Sequence, residues 1–220
     1  MTAPVGVGVY LHIPFCTRRC DYCAFATWTD RGHLVDRYLA ALDRAAADAA
    51  PSLGAVTSVF VGGGTPSLAP PDALVAVIGA LPLAPGAEVT VECNPETVTE
   101  PLLATYAAGG VTRISLGVQS MVPRVLDVLG RTHTVGAVEG AVAAVRSVGF
   151  STFNLAVIYG GAGETLDDWA TTLDRVLELD PPHVSAYALT VEAGTPLALD
   201  ATRHPDDDDQ AGKDGMAGTP

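Results

Sequence analysis

A parallel α/β architecture is the fold class this sequence predicts, and three observations predict it. Six short apolar stretches rich in β-branched residues alternate with helical patterns, which is the order of βα units. The stretches are nearly continuous in apolar residues, the signature of a sheet covered on both faces. The chemically unusual residues fall where these stretches end, and in a parallel sheet all such ends share one rim, where sites are built. With 220 residues, 48% of them apolar, the chain is long enough to bury a substantial core.

The elements follow in order. Val5–Ile13 reads as the first strand, short, β-branched and ended by Pro14. Leu34–Ala50 reads as a helix rich in Ala and Leu. "VTSVFVGGG" is a second strand closed by Gly62, Gly63 and Gly64, with a short helix over Asp72–Leu81 after it. "AEVTVECNP" is a third, stopped at Asn94-Pro95; Thr99 then caps a helix over Glu100–Ala108 with Pro101 in its first turn. "VTRISLGVQS" is a fourth. Val138, Val142 and Val145 recur at helical spacing behind it, and Gly149 stands where that helix ends. "TFNLAVIYGG" is a fifth, and Thr165 with Asp168 forms a capping box for a helix running to Leu179. "HVSAYALT" is the sixth.

Six units are too few for a closed eight-fold barrel, so an open partial barrel and a doubly wound sheet both fit. Residues 1–200 form one α/β domain on this reading. Residues 201–220 are acidic and lack apolar periodicity; a disordered tail or the stump of something longer is expected there. Apolar surface near Val184 and Ala186 would then stay uncovered. Trp28 and Trp169 read as packing residues.

The formal charge of −13 argues against non-specific binding to nucleic acid or anionic lipid. Part of it is the run Asp206–Asp209, which reads as a solvated segment. No apolar run approaches the ~20 residues of a membrane span, and the N-terminus lacks a basic signal region, so a cytoplasmic location is expected.

Three of the four cysteines, Cys16, Cys20 and Cys23, lie within eight positions after the first strand. Clustered cytosolic thiols point to metal or catalysis before disulfides. A C-x3-C-x2-C loop can wrap its thiolates around one corner of a cubic iron–sulfur cluster and leave the fourth iron open. Arg18 and Arg19 between the thiols could offset the cluster's charge. The alternative is a structural zinc site with His12 or His33 as fourth ligand; zinc motifs usually come as two ligand pairs, and no second pair is present. Strand neighbours face opposite ways, so Glu92 and Cys93 cannot both enter a site; Glu92 is expected to, with Cys93 packing as a small hydrophobe. "GGGTP" offers close backbone approach and free N–H and C=O groups at a strand end.

On the stretches "VYLHIPFCTRRCDYCAF", "FVGGGTPSL", "VTVECNPETVT", "GVTRISLGVQS", "LGRTH" and "HVSAYALTVEAGTPL", the chain resembles the radical S-adenosylmethionine superfamily. Within it, it is similar to the group of oxygen-independent coproporphyrinogen III dehydrogenase and the heme chaperones. The resemblance implies a partial (β/α)6 barrel, here without the family's C-terminal domain. It implies a 4Fe-4S cluster on Cys16, Cys20 and Cys23, whose open iron S-adenosylmethionine chelates. Gly62, Gly63, Gly64 and Thr65 would contact the methionyl amino group, with Tyr10, Glu92, Gln119 and Arg131 near the same ligand. Heme or a porphyrin as cargo, an electron donor and a heme acceptor are the implied partners.

Phe25 stands where the dehydrogenase carries an additional cysteine, as in the chaperone group. Two positions depart from the family pattern: Ala156 replaces an aspartate that holds the cofactor's ribose, and Ala162 replaces a proline. A non-catalytic, cluster-binding form is therefore a further expectation. None of the five histidines stands out as a heme ligand.

Overall fold

The structure, a computed structural model, describes residues 6–217. Val5, the expected start of the first strand, lies outside the described residues. Six parallel strands are hydrogen-bonded in the order β1-β2-β3-β4-β5-β6. They are β1 Val7–Ile13, β2 Val56–Gly63, β3 Leu83–Cys93, β4 Arg113–Gln119, β5 Thr152–Tyr159 and β6 His183–Ala188. A doubly wound sheet needs a reversal of strand order; here every crossover moves one strand in the same direction, which leaves the partial barrel.

The helices α1 Val35–Ala49, α2 Pro71–Gly79, α3 Glu100–Ala108, α4 Pro123–Val128, α5 Val135–Val148 and α6 Leu166–Glu178 fall between the strands. Their ends follow the local chemistry. Thr99 accepts from the Leu102 N–H, Thr134 from Ala137, and Thr165 and Asp168 close a reciprocal capping box. Gly149 ends α5 at φ 95°, a conformation that favours glycine. The short α4 carries no sequence pattern of its own; Pro123 opens it, Val125 and nearby Leu129 join a smaller apolar cluster, and Leu126 is buried as well.

The expectation of a sheet covered on both faces is corrected. Val59, Val61, Val89, Val91, Ile114, Leu116, Val118, Phe153, Leu155 and Val157 join helix residues such as Leu74, Leu103, Val142 and Trp169 in one buried core. Their strand neighbours point the other way. Phe60, Thr90, Glu92, Ser115, Gly117, Asn154, Ala156 and Ser185 line an open cavity of ≈ 730 Å³ instead. Much of the continuous apolar reading came from small residues, Gly and Ala, that give the concave face room rather than cover.

The expectation of disorder is corrected as well, for residues 207–217 of the tail. Asp207–Ala217 forms a helix, α7, packed against α6 and β6. The buried Trp169 indole donates to the Lys213 carbonyl at 2.9 Å, and the Tyr159 hydroxyl donates to Asp214 at 2.8 Å. Lys213 is itself fully buried, 3.5 Å from the Glu164 carboxylate, and it also pairs with Asp209. Anchors spaced at 210, 213 and 214 use one helical face and involve polar groups, so no apolar period announces them. Val184 is half-buried on the core, while Ala186 stays exposed. Trp169 is a core residue; Trp28, expected to pack, is 48% exposed.

Burial raises the Glu164 pKa, opposed by the Gly160 and Gly161 N–H groups and Lys213. Removing one partner of a buried ion pair strands the other's charge. Lys213→Ala should therefore cost about 3 kcal/mol in urea unfolding, and combining Lys213→Met with Glu164→Gln should recover most of that loss.

Candidate functional site

The cysteine loop leaves β1 at Pro14 and is pinned at both ends before it reaches α1. Phe15 and Trp28 form an isolated parallel bridge, with Trp28 N–H donating to Pro14 O at 2.8 Å and Cys16 N–H to Trp28 O at 3.2 Å. Inside it, Cys23 N–H closes a turn on Cys20 O at 3.1 Å. Arg19 is tied to the loop backbone, its guanidinium donating to Cys23 O at 3.1 Å and Phe25 O at 3.3 Å, which keeps its charge beside the thiols. Arg203 reaches back from beyond β6 to Asp21 at 2.8 Å and Val128 O at 2.6 Å, and Leu197 N–H donates to Asp21 O at 3.0 Å. These contacts hold Cys16, Cys20 and Cys23 half-buried on the wall of the ≈ 730 Å³ cavity.

The glycine motif packs against this loop. Gly64 N–H donates to Ile13 O at 2.8 Å and Thr65 N–H to Phe15 O at 2.7 Å; Gly63 N–H donates to the Glu92 carboxylate at 3.2 Å. The expected free N–H groups are thus already engaged. What the motif requires is proximity: a Cβ on Gly64 would sit 2.5 Å from Phe15 O, and one on Gly62 would sit 2.7 Å from a Glu92 oxygen. Gly63 takes φ 114°.

Polar groups surround the sulfurs. The Thr65 hydroxyl donates to Cys16 Sγ at 3.7 Å, and the buried Thr27 hydroxyl, otherwise unpartnered, lies beside the same sulfur. Burial raises the Cys16 pKa, those two hydroxyls oppose it, and the neighbouring thiols add to it. Arg131 donates to Cys20 Sγ at 3.4 Å, Asn94 Oδ1 at 2.9 Å and Gly117 O at 3.3 Å. Its Nε is 3.4 Å from the buried His133 ring, so most of its five donors are engaged, and together they tie the cysteine loop at Cys20 to the ends of β3 and β4. Gln119, after a register shift in β4, takes φ 65° and turns toward the cavity; such strain in a non-glycine residue clusters at functional sites.

Cysteines and Gly63, Gly64, Thr65, Glu92, Gln119 and Arg131 therefore share one cavity wall. Gly62 stands just behind, against Glu92. Tyr10 is set apart: its exposed ring stacks on Phe60 at 6.3 Å, its hydroxyl meets His12 Nδ1 at 3.1 Å, and Phe60 comes between it and the cavity. Cys93 is a core residue whose thiol pKa burial pushes up to about 12. Ala156 faces the cavity between Gly117 and Ser185.

The donor set fits a cluster better than one zinc ion. Both ring nitrogens of His12 are engaged, Nε2 with Ala26 O at 2.9 Å, and His33 is exposed on a short turn outside the cavity. Among the described residues no three His, Cys, Asp or Glu side chains converge on a single-ion position; thiolates that each hold a separate iron need not converge.

Residues 10–176 match the family described as the Radical SAM superfamily. The chain belongs to that superfamily. It is 45% identical over 214 residues to the heme chaperone HemW of Mycobacterium tuberculosis, covering 91% of this chain and 55% of the relative. HemW of Escherichia coli is 36% identical, with 92% and 55% covered. The solved coproporphyrinogen III oxidase (HemN) of Escherichia coli superposes with a TM-score of 0.86 at 26% identity, over 96% of this chain and 51% of that one. This radical SAM chain thus spans about half the length of the relatives it matches.

Asn94, Thr27 and Tyr22, which line the same cavity, were not singled out as site residues from sequence. Asn94 and Tyr22 flank motif residues already noted, whereas Thr27 becomes significant only when the Phe15–Trp28 bridge folds it onto Cys16. Among the described residues no helix is long and apolar enough to cross a membrane.

Burial raises the Glu92 pKa, opposed by the Gly63 N–H and His12. With the folded value above the unfolded one of about 4.3, the unfolded chain loses this proton first as pH rises, so ionised Glu92 costs stability at neutral pH. Glu92→Gln should stabilise the cofactor-free protein at pH 7, and the gain should vanish as pH falls below the unfolded value. Urea midpoints measured across that window check it.

Proposed function

We propose that this chain holds a 4Fe-4S cluster on Cys16, Cys20 and Cys23 and binds S-adenosylmethionine beside it, as a radical SAM protein of the heme-chaperone type. One observation carries the reading: the three thiols and the Gly63–Thr65, Glu92, Gln119 and Arg131 set line the same cavity wall, in a chain whose curated relatives include heme chaperones. When bound, the cluster and S-adenosylmethionine together supply one-electron chemistry that no side chain here provides.

The chain's own residues bind and orient. Arg131 and Thr65 donate to Cys20 and Cys16 and so orient those two sulfurs toward the cavity. Glu92 offers an acceptor suited to an ammonium group, held in place by Gly63 N–H. Gln119 presents an amide at the strand end, suited to hydroxyls. Phe25, 60% exposed on the cavity wall, occupies the position at which a cysteine marks the dehydrogenase, and this favours cargo binding over porphyrinogen oxidation. The likeness to coproporphyrinogen III oxidase supports oxidation of a porphyrinogen as the second reading. An anaerobic assay for vinyl product in the presence of reductant and S-adenosylmethionine decides between the two.

Anaerobic reconstitution should give about four irons per chain with absorption near ~400 nm. Cys16→Ala, Cys20→Ala and Cys23→Ala should each abolish that uptake, and a colourless wild-type protein binding only zinc would refute the reading. At position 156 the cavity lacks an acceptor. Ala156→Asp should tighten S-adenosylmethionine binding to the reconstituted protein by about 1–3 kcal/mol, roughly 5- to 150-fold, measured by isothermal titration.

A further inference from the structure

Of the chain's five histidines, four are accounted for by their surroundings. Both nitrogens of His12 are engaged, with Tyr10 and Ala26. His133 is buried, its Nε2 held 3.0 Å from Val118 O. His204 Nε2 lies 3.1 Å from Leu197 O, and His33 sits on an exposed turn away from the cavity. His183 differs from all of them. It opens β6 on the concave face and lines the same cavity as the thiols.

Its orientation is set from one side. His183 Nδ1 is 2.6 Å from Asn154 Oδ1, which also accepts from the Ser185 hydroxyl at 3.1 Å. The buried Asn154 amide donates onward to Ser115 Oγ at 3.1 Å. With the asparagine oxygen turned to it, Nδ1 is the nitrogen placed to donate, which leaves Nε2 as the one able to offer a lone pair. Nε2 has no partner among the described residues. A ring fixed through one N–H to an oxygen acceptor, with the other nitrogen bare, is the usual arrangement of a metal-ligating histidine.

The surroundings suit a large flat ligand. Phe60 and Tyr187 are exposed on the cavity wall, Tyr187 on the same face of β6 as His183. β6 and β1 end the sheet without pairing to each other, so the cavity is open along that side. Among the described residues the competing soft ligands are committed: the three loop thiols to the proposed cluster, while Cys93 and Met121 are buried in the core and Met216 packs against it.

The geometry points to His183 Nε2 as the protein ligand to the iron of a heme lodged in this cavity. The inference rests on the heme-chaperone reading. The step is coordination alone: the imidazole lone pair enters the iron's open axial position or displaces a water from it, and no electron is transferred. Asn154 acts as the positioning residue. Tyr187, whose phenol shares the wall, is the alternative ligand, since tyrosinate also binds ferric heme.

Ferric heme titrated into the reconstituted full chain tests this, read as a difference spectrum against the cluster-loaded protein so that cluster absorption cancels. Wild type should give an imidazole-type spectrum. His183→Ala should weaken binding by about tenfold or more and lose that spectrum, and added imidazole should restore it. His183→Cys should shift it to a thiolate type, while Tyr187→Phe should leave it unchanged. Asn154→Leu should weaken binding with the spectrum type retained. Wild-type affinity and spectrum in His183→Ala, or their loss in Tyr187→Phe instead, would overturn the ligand assignment alone. A wild-type chain that takes up no heme would overturn the chaperone reading with it.

Discussion

The end of β2 lies so close to the start of the cysteine loop that no side chain fits between them. Gly64 and Thr65 donate to the Ile13 and Phe15 carbonyls at 2.8 and 2.7 Å, which continues the β1–β2 pairing past the strand ends. The loop's far end is then drawn back by the Phe15–Trp28 bridge. With both ends fixed, the intervening residues have few conformations left, and the thiols face the cavity before any ligand arrives. Pre-ordering of this kind lowers the entropy lost on binding. Gly64 is the position where the constraint is absolute, because a Cβ there would meet backbone, which cannot swing aside.

The cavity follows from a division of labour within each strand. Residues facing the helices are Val, Leu and Ile, and they carry the core. Residues facing the concave side are small or polar, and they leave volume and hydrogen-bonding groups. At the rim this face carries Glu92, Gly117 and Gln119 beside the thiols; deeper, it carries the Ser115–Asn154–His183–Ser185 network. Upper and lower parts belong to one space, so ligands bound at each would lie within reach of one another.

The segment after β6 closes the same structure from the opposite side. Arg203 ties Asp21 to the Val128 carbonyl, and α7 sets Lys213 against Glu164, which in turn accepts from the Gly160 and Gly161 N–H groups at the end of β5. The loops after β1 and β5 are thus held by residues more than 40 positions further along the chain.

Much of the fold was legible in the sequence, because it is written in local signals. Alternation of apolar runs, the caps at Thr99 and Thr165 and the stop at Gly149 depend on neighbours within four residues, and the spacing of Cys16, Cys20 and Cys23 is the local signal on which the proposed metal loop rests. The order of the strands is not legible in the elements themselves, since helical linkers of similar length serve either winding; from sequence, only the motif resemblance pointed to the partial barrel, and the structure bears it out. So did the polarity of the concave face: a run such as "TFNLAVIY" does not say which alternate residues meet helices and which meet solvent. The helix after residue 206 was hidden because polar anchors, chiefly Lys213 and Asp214, hold it. The bare nitrogen of His183 exists only because Asn154, 29 positions earlier, is paired directly beside it across β5 and β6; contacts between such distant positions are decided by register, which no local pattern encodes.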